Sequence, residues 1–334
     1  MNVLPDTAAD ADPVGAAALL GYADPEELRR FVALEDAVWS NTTLSPSVTE
    51  AVRLRCAQVR GCAFCAAVRV TAAIEDGLTE TQIGRLNVPE IRSSFSPTQS
   101  AALTLADHFL LHPRKPDDNQ SVEIAEVLGT SGVMEVLLAC CAFASAELRI
   151  ALGENREPQG SGVVQRARGK RTEIPTATSW PVLTGPVLDP DCVFPSVVPE
   201  LAQPVRERVT ALWSEADMSQ ELVAACIVRS TQLLDVTPDE QAYAFLVPQR
   251  AAALADPDDV RNWPKWPAGK DRNAMALAEQ VWIQPAGVDA SIIDPLRVAL
   301  DIDGLIRMTW KLILIGQLHR LALVLHRSSS SGRL

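Results

Sequence analysis

The sequence predicts an all-α protein. Three observations carry that prediction. Apolar residues recur at helical spacing along most of the chain, with no run of strand-like alternation. Ala, Leu, Glu, Gln and Arg, which favour helices, are frequent. Turn signals recur where helices should start or stop. Ser45-Pro46 opens one helix, with Ser as cap and Pro in the first turn, where its missing N–H costs nothing. Gly61 ends that helix just before Cys62. An apolar helical run from Ala66 to Ile74 follows, closed by Gly77. Thr79-Glu80-Thr81-Gln82 reads as a capping box starting a short helix that reaches Leu86. Pro97 opens a longer helix ending near His112-Pro113. The apolar stretch Leu312 to Leu325 is interrupted by Gln317, His319 and Arg320. It reads as a buried helix, too short to span a bilayer.

Length and charge bound the rest. The chain has 334 residues, enough for two domains. Hydrophobic residues at 47% and charged residues at 22% are the balance of a globular protein. A net charge of −12 argues against a nucleic-acid grip, which needs clustered Lys and Arg. Met1 to Val14 is acidic and lacks the basic flank and apolar stretch of an export signal. The expectation is a cytoplasmic protein with no membrane partner, whose seven cysteines do not form a disulfide framework.

The chain also repeats itself. Pro25-Glu26, Trp39-Ser40, Leu44-Ser45 and Arg55 reappear as Pro199-Glu200, Trp213-Ser214, Met218-Ser219 and Arg229, at an offset of about 174 residues. Leu105-Ala106-Asp107, Pro113 and Gly132 reappear as Leu277-Ala278-Glu279, Pro285 and Gly304, at about 172. Between the copies the composition shifts to Gly and Pro around a small basic cluster, Arg166 to Arg171. The organisation expected is a first repeat over 1–157, a linker over 158–195, a degenerate second repeat over 196–327 and a loose tail over 328–334. The first residues, to Asp12, are expected to be loose as well.

One constellation carries chemistry. Cys62-Ala63-Phe64-Cys65 follows Gly61, and a helix break there puts both cysteines in the first turn of a new helix. The helix N-terminus favours thiolate over thiol, and such a pair can cycle between dithiol and disulfide. Two other readings stand beside this one: two buried thiols of no chemistry, or half of a metal site. A zinc site needs two further ligands, and Cys140-Cys141 are adjacent and point apart on a helix. His108 and His112 share a helical face, but a third ligand is not evident and a solvated helix end suffices. The sequence therefore asks for no metal and no cofactor.

These residues carry a resemblance. Glu50 to Gly61 running into Cys62-Ala63-Phe64-Cys65, then Glu75-Asp76-Gly77-Leu78-Thr79, Ala102 to Asp107 and Cys141 to Gly153, resemble the AhpD-like branch of the carboxymuconolactone decarboxylase superfamily. The resemblance covers Pro25 to Gly153, and the second copy weakly. It implies two tandem AhpD-like helical-bundle repeats, the second degenerate, and a thiol peroxidase or disulfide reductase site. The family pattern is Glu, then Cys-x-x-Cys, then a proton-relay His four residues later. Glu50, Cys62 and Cys65 fill three places, and Arg69 stands in the fourth. Arg cannot act as a base at neutral pH, but it can stabilise a thiolate or bind an anion. In the second copy Ala224, Val236 and Asp239 occupy the positions of Glu50, Cys62 and Cys65, so that half is expected to be a structural pseudo-partner.

Several residues keep a plainer reading. Ser47-x-x-Glu50 can be a capping box. Arg55 and Arg69 can be solvated charges or counter-ions of Glu50. Cys56, Cys140 and Cys141 read as small core residues. His319 and His326 read as packing or surface groups, and Trp263 and Trp266 as loop anchors. The expected function is a thiol oxidoreductase in which Cys62 and Cys65 cycle, acting on a hydroperoxide or other small substrate and recharged by a thiol reductant. Helix position favours Cys62 as the attacking thiol, and the family resemblance favours Cys65. The alternative is a non-redox biosynthetic enzyme or a ligand-binding module on the same scaffold. The resemblance also implies a homo-oligomer, trimer or dimer.

Overall fold

The computed structural model describes residues 16–40, 43–88, 94–155, 163–164, 178–181, 183, 186–189, 192, 198–213, 217–234 and 246–325. The sequence features at 1–12, 166–171, 236, 239, 326 and 328–334, and most of the 158–195 linker, lie outside them.

Helix α1 (Ala16–Ala23) leads into α2 (Pro25–Ser40). The Asp24 carboxylate accepts the Glu26 and Glu27 N–H groups, so α2 starts with its free donors satisfied. Helix α3 (Pro46–Arg60) begins at Pro46 as expected, but Ser45 does not cap it through its side chain. The Ser45 hydroxyl contacts that of Ser47, and the Ser47 N–H donates to Asp76 at 3.0 Å. Gly61 ends α3 in the left-handed region at φ 72°, a conformation that favours glycine.

The single helix expected over Ala66–Ile74 is broken. Helix α4 (Ala63–Ala67) stops, the chain extends through β1 (Arg69–Val70), and α5 (Thr71–Glu75) resumes. β1 pairs in parallel with β2 (Val163–Val164). The reason lies outside the segment: Arg53 takes the carbonyls of Cys65 and Val68, and Glu50 takes the Val70 N–H. Those groups would otherwise feed the helical ladder. Val68 and Val70 are also at ease when extended.

Helix α6 (Glu80–Ile83) has the full capping box of Thr79 and Gln82, and it ends before Leu86. Helix α7 (Pro97–Leu110) has a second such box, Ser96 with Gln99. Helix α8 (Asp118–Ala142) kinks at Gly129 and is followed by α9 (Ser145–Ala151). The second half holds α10 (Pro199–Leu212), α11 (Gln220–Leu233), α12 (Gln249–Leu254), α13 (Pro257–Arg261), α14 (Lys270–Ile283), α15 (Ala290–Ala299) and α16 (Ile302–Leu325).

The last helix begins at Ile302 and is long enough by length and composition to cross a membrane, as is the stretch Asp118–Ala151. Their most apolar windows are 83% and 94% buried inside the protein, so the apolar surface is already covered. One apolar cluster draws on both halves, from Leu19 to Leu325. Polar contacts join the halves as well: Trp310 donates to Glu27 at 2.7 Å, and Arg307 donates to the Ala23 carbonyl at 2.8 Å. Trp263 anchors its loop by donating to Glu279 at 2.6 Å.

Candidate active site

Cys62 is the N-cap residue of α4, and Cys65 sits within its first turn. The two are joined as a disulfide, with Cα atoms 5.3 Å apart. The Cys65 N–H donates to Cys62 Sγ at 3.2 Å. Cys62 is 1% exposed, whereas Cys65 is only half-buried. The pair therefore has an inner sulfur and an outer one. Ala57, Ala146 and Ile150 form the apolar floor with Cys62. Phe64 lies under the Arg149 guanidinium, 4.1 Å from its carbon to the ring centre. Asn155 fixes the loop at two points, accepting the Ala63 N–H at 2.8 Å and donating to the Gly61 carbonyl at 2.9 Å.

Glu50 is 1% exposed and is held by Arg53 in a bidentate pair, at 2.7 and 2.8 Å. Glu50 also accepts the Val70 N–H at 3.2 Å. The same Arg53 guanidinium donates to the carbonyls of Cys65 and Val68, both at 2.7 Å. Glu50 thus reaches the cysteine turn through Arg53. Burial works against the Arg53 charge, but Glu50 outweighs it and raises the guanidinium pKa. The capping-box reading of Ser47 and Glu50 is not realised, because both lie inside α3 and Glu50 is spent on Arg53.

Neither Arg55 nor Arg69 is the counter-ion of Glu50. Arg55 pairs with Asp107 at 2.7 Å and with Asn87 at 2.6 Å. Arg69 pairs with the exposed Glu80 at 2.8 Å and donates to the Ala66 and Val68 carbonyls. Among the described residues its hydrogen-bond partners are the Glu80 carboxylate and these two carbonyls.

A second group of thiols lies in the main apolar core. The sulfurs of Cys56 and Cys140 are 3.8 Å apart in the core. Burial opposes the Cys56 thiolate, but the Cys140 contact and the Arg60 charge prevail and lower its pKa. Burial pushes Cys140 well up and Cys141 to about 12. Arg60 is clamped to Glu147 at 2.6 Å, and Gln317 bonds to both. His108 does not join His112 in a site, since its Nε2 meets Gln120 at 2.8 Å. Among the described residues no group of three His, Cys, Asp or Glu side chains gathers to hold a metal ion. In the second half, Ala224 is buried within α11, and positions 236 and 239 lie outside the described residues.

Sequence reasoning missed Arg53 and Asn155. For Arg53 the signal was present, because it stands three residues after Glu50 and shares its helical face. For Asn155 there was none, since it arrives from 90 or so residues away.

The comparisons with known proteins bear on part of the first half. The family model described as Carboxymuconolactone decarboxylase family matches residues 25–108. Residues 25–108 are thus similar to the carboxymuconolactone decarboxylase family. The match covers α2 to most of α7 and includes Glu50, Arg53 and both cysteines of the pair. A Bacillus subtilis (strain 168) protein, the uncharacterised YdfG, is 30% identical over 96 residues, which are 28% of this chain. The match spans 65% of that relative's length. No solved structure matches the chain.

Proposed function

We propose that the chain is a thiol oxidoreductase of the AhpD-like kind, in which Cys62 and Cys65 cycle between dithiol and disulfide. The observation that carries this reading is the disulfide itself, with one sulfur buried and the other within reach of solvent. Access assigns the roles. The outer Cys65 thiolate attacks a hydroperoxide, the O–O bond breaks, and the alcohol leaves as Cys65 becomes a sulfenic acid. The Cys62 thiolate then attacks Cys65 Sγ, water leaves, and the disulfide closes. Two thiol protons and two electrons are consumed, giving one alcohol and one water. In the return half, a reductant thiolate attacks Cys65, and Cys62 departs as a thiolate that the Cys65 N–H stabilises. A second reductant thiol resolves the mixed disulfide.

The Glu50–Arg53 pair is a positioning device in this reading. It holds the carbonyls at both ends of the short turn after Cys65 and keeps the sulfur in register. Arg69, spent on Glu80, does not take over the proton relay, so proton transfer falls to solvent at the outer sulfur. The test is hydroperoxide consumption with a dithiol reductant in Cys62→Ser and Cys65→Ser. Loss of turnover in Cys65→Ser, with a trapped sulfenic acid in Cys62→Ser, supports the assignment. Full turnover in both variants overturns it.

The tandem duplication belongs to the same proposal. It is supported by matched ion pairs, Arg55–Asp107 in one half and Arg229–Glu279 in the other. It is also supported by matched helix starts at Pro25 and Pro199, and by serines at the matching N-cap positions, Ser45 and Ser219, of which only Ser219 caps through its side chain. Thr43 bonded to Glu135 corresponds to Asp217 bonded to Arg307, a polar contact kept at matching positions, neutral with acidic in one half and acidic with basic in the other. The second half then acts as a fixed partner for the first. A cytoplasmic setting and a homo-oligomer remain part of the proposal, and light scattering reads the oligomer directly.

A further inference from the structure

A cavity of about 790 Å³ opens between the two halves, and its lining shares no residue with those named for the disulfide site. Its walls come from both: Val59 and Leu110 on one side, Leu233 and Trp282 on the other. Its rim holds Leu111 and Ile283, which are 44% and 68% exposed. Exposed large apolar side chains are costly to leave facing water, and here they edge a cavity of a size that suits a small molecule, roughly 300–1,000 Å³. Trp282 gives its indole N–H to the Leu312 carbonyl at 2.6 Å, so its polar edge is satisfied. Gly316 makes room for that ring, because a Cβ there would meet Trp282 Cδ1 at 2.6 Å.

The charges in this cavity have one sign. Arg320 and Arg114 line it, with His112 beside them, and no carboxylate is among the lining residues, in a chain whose net charge is −12. Arg320 spends Nη1 on the Phe109 and Leu110 carbonyls, at 3.4 and 2.8 Å. Its Nε and Nη2 have no protein partner among the described residues. The acid that acts on it, Glu147, is already committed to Arg60 and Gln317. Ser230 is the other polar group in the wall. His319 Nε2 faces the Leu246 carbonyl at 3.1 Å and must carry the proton, so Nδ1 accepts the Ser230 hydroxyl at 2.8 Å. Ser230 has therefore no proton to offer an anion, and the anionic end of a ligand belongs at Arg320.

We propose that this cavity binds an amphipathic organic anion, a carboxylate carried on an extended apolar body. The carboxylate pairs with the free guanidinium edge of Arg320, and the apolar body lies along Val59, Leu110, Leu233 and Trp282 and covers Leu111 and Ile283. The inference stands whether or not Cys62 and Cys65 turn over.

The experiment is calorimetric titration of the full chain with dodecanoate, below its micelle concentration, beside dodecyltrimethylammonium as the cationic match. Saturable dodecanoate binding at one site per chain is expected, with no comparable binding of the cation. Arg320→Met is expected to weaken dodecanoate at least about 10-fold, the loss of one charge-assisted pair. Ile283→Glu places an anion at the exposed rim and is expected to weaken it too. Because Ile283 is mostly exposed, that variant keeps the test open if Arg320→Met fails to fold. Absence of saturable dodecanoate binding overturns the proposal, as does equal binding of the cation. Unchanged dodecanoate affinity in a folded Ile283→Glu also overturns it.

Discussion

Replacing Glu50 by Gln separates a positioning carboxylate from a decorative one. Glu50 is 1% exposed and Arg53 only 12%, and the pair is bidentate at 2.7 and 2.8 Å. The Gln amide keeps the volume and an acceptor for the Val70 N–H, but it leaves the Arg53 charge buried without its counter-ion. Breaking a buried pair in this way costs about 3–5 kcal/mol. That is a large share of a native stability of roughly 5–15 kcal/mol. Removing both charges, in Glu50→Gln with Arg53→Met, deletes the uncompensated ion. The double variant should therefore be more stable than the sum of the single losses predicts, by about 1–3 kcal/mol of coupling. Urea unfolding of the four proteins reads this directly. Additive losses, or a Glu50→Gln cost below about 1 kcal/mol, would refute the reasoning, because a pair so placed cannot be idle. Arg53→Met alone should also lower the turnover attributed to Cys62 and Cys65, because the carbonyls of Cys65 and Val68 lose their donor.

Other expectations follow from the same structure. His319 is fully buried, and burial lowers its pKa from 6.5 to about 4. Between those values the unfolded chain binds a proton that the folded chain refuses, so stability rises with pH from 4 to 6.5 and is lost as pH falls. The full difference is about 3 kcal/mol. Urea midpoints at pH 7 and pH 4.5 should diverge less in His319→Gln than in the native protein, and equal divergence would contradict the assignment. Gly61→Ala forces a side chain into φ 72° and should cost about 1 kcal/mol in thermal unfolding. Asn155→Ala frees the Ala63 N–H and the Gly61 carbonyl, and should shift the dithiol–disulfide equilibrium of Cys62 and Cys65 in a glutathione titration while leaving the helical circular dichroism unchanged.

Local chemistry was legible in the sequence, and long-range chemistry was not. The Thr79–Gln82 capping box and the left-handed Gly61 depend only on neighbours, and both stand as read. The break at Val68 depends on Arg53, 15 residues earlier in the chain and hydrogen-bonded to its carbonyl in space. An apolar run such as Ala66–Ile74 carries no mark of it. Of the two readings open for Arg55, solvated charge or counter-ion of Glu50, helix geometry disfavours the second, since five residues turn a helix to another face whereas three return to the same one. The apolar stretch Leu312–Leu325 marks only the later part of the last helix. The helix runs from Ile302, and Arg307 in its early part is paired with Asp217. The site was legible as Cys62, Cys65 and Glu50. What organises them came from residues whose partners only folding supplies.

The central claim is that Cys62 and Cys65 form a reversible redox couple, and a thiol count tests it most directly. The chain has seven cysteines, and Cys56, Cys140, Cys141, Cys192 and Cys226 are free thiols. Reduced protein treated with one equivalent of a hydroperoxide, then denatured and alkylated for mass spectrometry, should lose the labels on Cys62 and Cys65 together, and a dithiol should restore both. Labels that stay on both residues after the oxidant, while the hydroperoxide is left unconsumed, would contradict the account.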